Sequence, residues 1–276
     1  MNRHHPHWLA VLAAAILLTM SASASCRAES RTSQRASIDE TFEAGAAELI
    51  GIAGRVHVLL HDEHGIRLRA EGPKRWISDL VRRTEASILV VNGGSLDGSS
   101  VNVAAGPSAL AETRVDSRIV KPDGDAASGG AAEDPPEIEL FVPVGTPLTA
   151  TATGGHWEIA ALKAPLALEV VGAEVSAGAM TDARLSVRGG GDIKVAEVDG
   201  DLYADVAGSG SITVLAGVVN NLKAVITGTG SVLVQTPAEH ADLAVSGDGS
   251  IEVLKVLREP KVRISGLGTV RTGYRP

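Results

Sequence analysis

His57, His61 and His64 stand within eight residues of one another, a spacing at which a hairpin could gather three imidazoles around a transition metal. His57 and His61 fall on one side of a strand with a period of two, and His64 falls in the adjoining turn. Beyond Asp62 and Glu63 no further donor is marked, and exposed hairpin histidines are common without any metal, so no metal ligand is assigned. The glycine-rich pieces such as Gly208-Ser209-Gly210-Ser211 raise a second chemistry, because such turns cradle phosphates where a helix N-terminus and a lysine follow. Neither follows here, and the motif recurs along the chain, which points to structure. Carboxylates raise a third: enzymes that cleave polysaccharides need convergent acids, or an acid-bound cation beside a basic group. Asp199, Asp201 and Asp205 cluster around one turn, but Asp192 and Asp248 occupy different positions of their repeats and no stacked pair of acids appears. Trp157 is the only tryptophan in the repeats, a meagre platform for a sugar ring. No catalytic residue and no cofactor is expected.

Cys26, the only cysteine, belongs to a different chemistry. Arg3, His4, His5 and His7 make a basic start, and Trp8 to Met20 is an apolar run of the length found in export signals. It falls short of the roughly 20 apolar residues that span a bilayer. Ala22-Ser23-Ala24 and Cys26-Arg27-Ala28 both fit the small-x-small cleavage pattern. Residues 1–28 are therefore read as a signal peptide, with the mature chain exported to the periplasm, outer membrane or cell surface. Ser23-Ala24-Ser25-Cys26 resembles the end of a bacterial lipobox, with Ser23 where leucine is usual, so Cys26 is the candidate lipidation residue. The alternative is a cysteine removed or left free near the cleavage point. A lone cysteine excludes an intrachain disulfide. With 33 acidic against 25 basic residues and no basic cluster, nucleic acid is an unsuitable partner, and a membrane contact is expected only through an N-terminal lipid.

Residues 29–40 are polar and aperiodic and read as a flexible stalk. Folded pattern begins at Thr41. Leu49, Ile52, Val56, Val58 and Leu60 precede the turn Asp62-Glu63-His64-Gly65, and Ile66 to Arg69 alternates after it, so a strand-turn-strand unit is expected. Trp76 to Ala86 reads as a short helical turn, and Ser87 to Val91 returns to strand. Residues 93–136, rich in Gly, Ser, Ala, Asp and Pro, read as a long exposed insertion in which short strands are expected at Ser100 to Ala104 and Arg114 to Val120. Order resumes at Glu137 to Pro143.

Residues 148–272 repeat. Gly155, Gly191, Gly210, Gly230, Gly249 and Gly268 recur at about 19 residues, with a degenerate copy around Gly172-Ala173-Glu174-Val175 bridging the longest gap. Each copy alternates as Leu202-x-Ala204-x-Val206-x-Gly208-x-Gly210-x-Ile212-x-Val214. That places the apolar residues and the glycines on one face and Ser, Thr, Asp, Lys and Glu on the other. The period is too short for a propeller blade and lacks the leucine-rich signature. It suits a β-helix coil, with Ile212, Val232, Ile251 and Val270 in one inward column about 4.8 Å apart. Few aromatic residues, 3% of the chain, suit such a thin core. Ser209, Ser211, Thr229, Ser231, Ser250 and Thr269 would form an outward ladder, able to bond between coils or to a glycan.

The copies Gly208-Ser209-Gly210-Ser211-Ile212, Thr227-Gly228-Thr229-Gly230-Ser231-Val232 and Ser246-Gly247-Asp248-Gly249-Ser250-Ile251, with Ile138-x-Leu140-x-Val142-Pro143 upstream, resemble the head GIN domain family of auto-transporter adhesins. The resemblance spans residues 41–272 and is strongest in the last third. It implies an all-β fold, a single-stranded right-handed parallel β-helix at a bacterial surface, and little about chemistry. The chain departs from that pattern in the 93–136 insertion and the coil at Gly172. Three functional readings follow. The favoured one is a noncatalytic envelope protein, not an enzyme, whose polar solenoid face binds a surface protein or glycan. The others are a carbohydrate-active β-helix enzyme of lyase or hydrolase type, and a structural spacer.

Overall fold

The computed structural model describes residues 35–93 and 135–274, which lie within one compact unit, Ser33–Pro276. Residues 1–28, read as a signal peptide, with Cys26 and nearly all of the expected 93–136 insertion fall outside the described residues. What is described is a β-solenoid of about 7 turns of roughly 19 residues.

The long strands β11 (Asp192–Gly208), β12 (Ser211–Gly228) and β13 (Ser231–Gly247) each run most of the way round one coil. They pair in parallel with Ile193, Ile212 and Val232 in register. Earlier coils are built from β7 (Leu148–Ile159), β8 (Leu166–Val170), β9 (Ala173–Met180) and β10 (Ala183–Val187). The last comprise β14 (Ser250–Val256), β15 (Lys261–Ser265) and β16 (Thr269–Thr272).

The predicted inward column is present, and longer than the repeats implied. It runs Val56, Trp157, Val175, Ile193, Ile212, Val232, Ile251, Val270 without a slip in register. A second column runs Leu49, Ala150, Leu168, Leu185, Ala204, Ala224, Leu243, Val262. Alternation along each strand puts every second residue inside, and stacking buries those residues because each coil covers the next. Ala173 takes the place of the glycine in the degenerate coil, paired with Gly155.

The N-terminal half departs from its local pattern. The expected stalk, residues 29–40, is not irregular from Arg35 onward: its last six residues belong to strand β1 (Arg35–Phe42), antiparallel to β3 (Ile66–Pro73). The turn at Asp62 to Gly65 joins β2 (Ala46–Leu60) to β3, but these two strands do not pair. β6 (Glu137–Val142) lies between them, parallel to β2 and antiparallel to β3. Such a pairing, between partners as far apart as Arg67 and Phe141, leaves no local trace. The helix expected over Trp76 to Ala86 is shorter. α1 covers Lys74–Asp79, and Val81–Glu85 forms β4, a hairpin partner of β5 (Ile88–Asn92). Ala86 and Ser87 make that turn with φ of 47° and 67°, the geometry of a two-residue turn that usually announces itself by Asn or Gly.

Candidate functional site

The outward residues of one sheet face form continuous rows across the coils. One row runs Glu137, Arg55, His156, Glu174, Asp192, Ser211, Ser231, Ser250, Thr269. The next, two residues along each strand, runs Glu139, His57, Glu158, Ser176, Lys194, Thr213. The expected ladder of Ser211, Ser231, Ser250 and Thr269 is therefore in register, while Ser209 and Thr229 sit in the turns between.

Where the rows cross β2, β7 and β9, imidazoles and carboxylates alternate. His57 Nδ1 lies 3.3 Å from Glu158 and its Nε2 lies 4.0 Å from Glu137. His156 Nε2 is 3.5 Å from the same Glu158 and its Nδ1 is 3.5 Å from Glu174. Arg69 on β3 forms an ion pair with Glu139 at 3.4 Å, and the Ser211 hydroxyl donates to Asp192 at 2.5 Å. A shallow depression of about 470 Å³ opens here, lined by His156, Glu158, Glu174, Asp192, Lys194 and Thr213 among others. These groups are open to solvent: the Glu174 side chain is 74% exposed. The arrangement offers a broad set of hydrogen-bond donors and acceptors of mixed charge.

The histidines singled out in the sequence are dispersed. His57 belongs to the network above, the His61 ring is 3.2 Å from the Gly65 carbonyl, and His64 is exposed in the turn. Among the described residues no three His, Cys, Asp or Glu side chains are placed to hold a metal. His156, Glu158 and Glu174 were missed because only the register of β7 and β9 against β2 makes them neighbours of His57.

In the glycine turns at residues 208–211 and 228–231 the amides bond to carbonyls of the coil beneath. The amides of Ser209 and Gly210 both donate to the Gly189 carbonyl, those of Thr229 and Gly230 to Gly208, and that of Ser231 to Gly210. The clustered acids have similar duties. Asp182 accepts the Asp201 amide at 2.8 Å, Asp199 accepts the Val218 amide at 3.0 Å, and Asp201 accepts from the Asn221 side chain at 2.8 Å. They tie successive coils together at a corner, where the backbone leaves regular pairing. Trp157 is fully buried in the inward column, so it offers no stacking surface.

Two carboxylates elsewhere are perturbed. The Arg67 guanidinium, which donates to Asp39 at 2.7 and 2.6 Å, holds that carboxyl below its ordinary range. Burial pushes Glu48 above its ordinary range, opposed by Arg83 and assisted by Glu85.

Residues 153–276 match the family model described as "Putative auto-transporter adhesin, head GIN domain", the segment that holds the glycine repeats, so the resemblance drawn from those repeats stands. No protein of curated function matches the chain. Among solved structures, a "putative adhesin" from Bacteroides fragilis NCTC 9343 is 17% identical with a TM-score of 0.60, over 87% of this chain and 97% of the other. A "putative adhesin" from Parabacteroides merdae ATCC 43184 is 13% identical with a TM-score of 0.55, over 88% and 98%. A "putative lipid binding protein" from Parabacteroides distasonis ATCC 8503 is 13% identical with a TM-score of 0.52, again over 88% and 98%. At these identities the likeness is one of fold.

Proposed function

We propose that this chain is a noncatalytic, adhesin-like binding module of the bacterial envelope, which binds a surface protein or a glycan through the polar face built on β2, β7, β9, β11 and β12. The observation that carries this reading is the continuous register of the two outward rows. It makes an extended and pre-organised recognition surface from side chains that the core does not need. The match of residues 153–276 to an adhesin family and the adhesin-like fold of the neighbours point the same way. Export fits that role, through a signal within residues 1–28 and an N-terminal lipid at Cys26. Among the described residues no helix is long and apolar enough to cross a membrane.

Against a carbohydrate-cleaving role, Glu137, Glu158 and Glu174 each face an imidazole on an open sheet, and such chemistry asks for acids converging on one bond. The test is a glycan array and a panel of host surface proteins probed with the fluorescent mature protein. A His156→Ala, Glu158→Ala, Lys194→Ala variant should lose the binding at unchanged melting temperature. Release of reducing or unsaturated sugar ends by the wild-type protein would give the site to an enzyme instead.

A further inference from the structure

The two ends of the solenoid are finished differently. At the N-terminal end Trp76 and Ile77 of α1 and the adjoining Leu80 are packed into the core. The outer strand there, β4, sets Arg82 and Thr84 opposite the buried Val91 and Leu89. A charged residue at the inward position of an edge strand discourages any further strand. Among the described residues the C-terminal end has no such device.

Among the described residues β15 pairs only with β13, and β16 only with β14, so none of them covers the other backbone edge of either strand. Val262 follows Leu243 in a column where Leu243 is 0% exposed, and Ile264 follows Val245 at 2%, yet Val262 and Ile264 are 43% and 49% exposed. Leu267, in the last turn, is 85% exposed. A depression of about 240 Å³ opens beside Ile264, lined also by Val225 and Ala244. Repeat proteins ordinarily close such an end with a polar cap.

The charges at this end narrow the choice of what covers it. On β15 Lys261 and Arg263 alternate with Val262 and Ile264, and β16 adds Arg271. Arg263 is paired with Asp242 at 2.7 Å, whereas Lys261 and Arg271 have no ion pair among the described residues. A second copy meeting this end through its own β15 would set basic side chains against basic side chains, which destabilises strand pairing. A copy meeting it through β4 would set Arg82 against the apolar Val262 and Ile264.

We propose that the C-terminal coil is a strand-addition site for an extended segment of a partner protein in which apolar residues alternate with Asp or Glu. The partner backbone would continue the sheet along the edges of both β15 and β16. Its apolar residues would cover Val262 and Ile264, and its acids would meet Lys261 and Arg271. β13 and β14 stand between this end and the polar face on β2 to β12, so loss of one binding activity leaves the other to be measured.

The mature protein would be titrated with a fluorescein-labelled peptide of about nine residues alternating valine and glutamate, and with its valine-lysine counterpart, by fluorescence anisotropy. The acidic peptide should bind saturably and shift amide resonances of Lys261 to Thr272. Two variants, Ile264→Lys and the double change Lys261→Gln, Arg271→Gln, which leaves no like charges opposite Asp242 and Glu252, should each weaken it at least about tenfold. Both alter exposed side chains, and the melting temperature should stay at the wild-type value. Equal binding of the lysine peptide, or acidic-peptide binding that survives both variants, would overturn the proposal. So would a dimer in sedimentation that Ile264→Lys abolishes, because the end would then belong to a second copy.

Discussion

The carbonyl oxygen of Gly210 lies 2.6 Å from the point where a Cβ on Gly230 would stand, and Val206 Cγ1 is closer still. The same crowding recurs one coil on, where a Cβ on Gly249 would meet the Gly230 carbonyl at 2.7 Å. These glycines let one coil's turn sit directly on the turn beneath it, with the amide-to-carbonyl bonds described above as the link. Alanine at Gly230 is therefore not a mild change. Gly230→Ala should cost about 1–3 kcal/mol at the least and Gly230→Val more, while Thr229→Ala, exposed in the same turn, should stay within about 0.5 kcal/mol. Urea denaturation of the three variants checks this. A Gly230→Ala protein as stable as wild type would show that the turn has slack and would reopen a ligand role for it.

The inward and outward assignment has an equally direct test. Ile212 is fully buried in the column between Ile193 and Val232, where a carboxylate would have no partner and no water. Ile212→Asp should cost about 4 kcal/mol or more and leave little folded protein. Thr213 lies one residue on, facing out beside Lys194, and Thr213→Asp should be nearly neutral. Similar melting curves for the two variants would refute the assignment.

Much of this was legible because the C-terminal coils repeat a local rule. Ile212, Val232, Ile251 and Val270 could be placed in one column from their spacing alone, since parallel in-register stacking leaves no freedom once the period is known. The N-terminal half offered no repetition. The insertion of β6 between β2 and β3 depends on which strand finds which edge, a tertiary choice that Asp62 to Gly65 could not reveal. The site suffered in the same way. His57 was visible as a chemical residue, but its neighbours Glu137 and Glu158 lie eighty or more residues away, and the nearby His61 and His64 drew attention instead.

The export reading predicts a processed N-terminus. Mass spectrometry of protein from the native cell envelope should show a chain lacking residues 1 to about 24. A lipid-bearing Cys26 at the new N-terminus would establish the anchor, and an unmodified start near residue 29 would dispose of it. A chain that keeps Met1 in the cytosolic fraction would contradict export altogether.

Glu48 and Asp39 should pull the pH dependence of stability in opposite directions. Glu48 stands in β2 between Val90 and Thr149, and burial raises its pKa in the folded state. The fold therefore holds this proton more tightly than the unfolded chain does. The stability that follows is present below the unfolded value and is lost as pH rises through the folded one. Asp39 is the reverse, because its bond to Arg67 lowers its folded pKa. Its contribution is present above the unfolded value and disappears as pH falls through the folded one. Glu48→Gln should therefore raise the urea midpoint at about pH 7 and lose that advantage near about pH 4. Asp39→Asn should lower the midpoint at neutral pH, by a small amount because the pair is exposed, and the deficit should shrink on acidification. A Glu48→Gln protein that is less stable than wild type at neutral pH would show that Arg83 outweighs burial at that carboxylate.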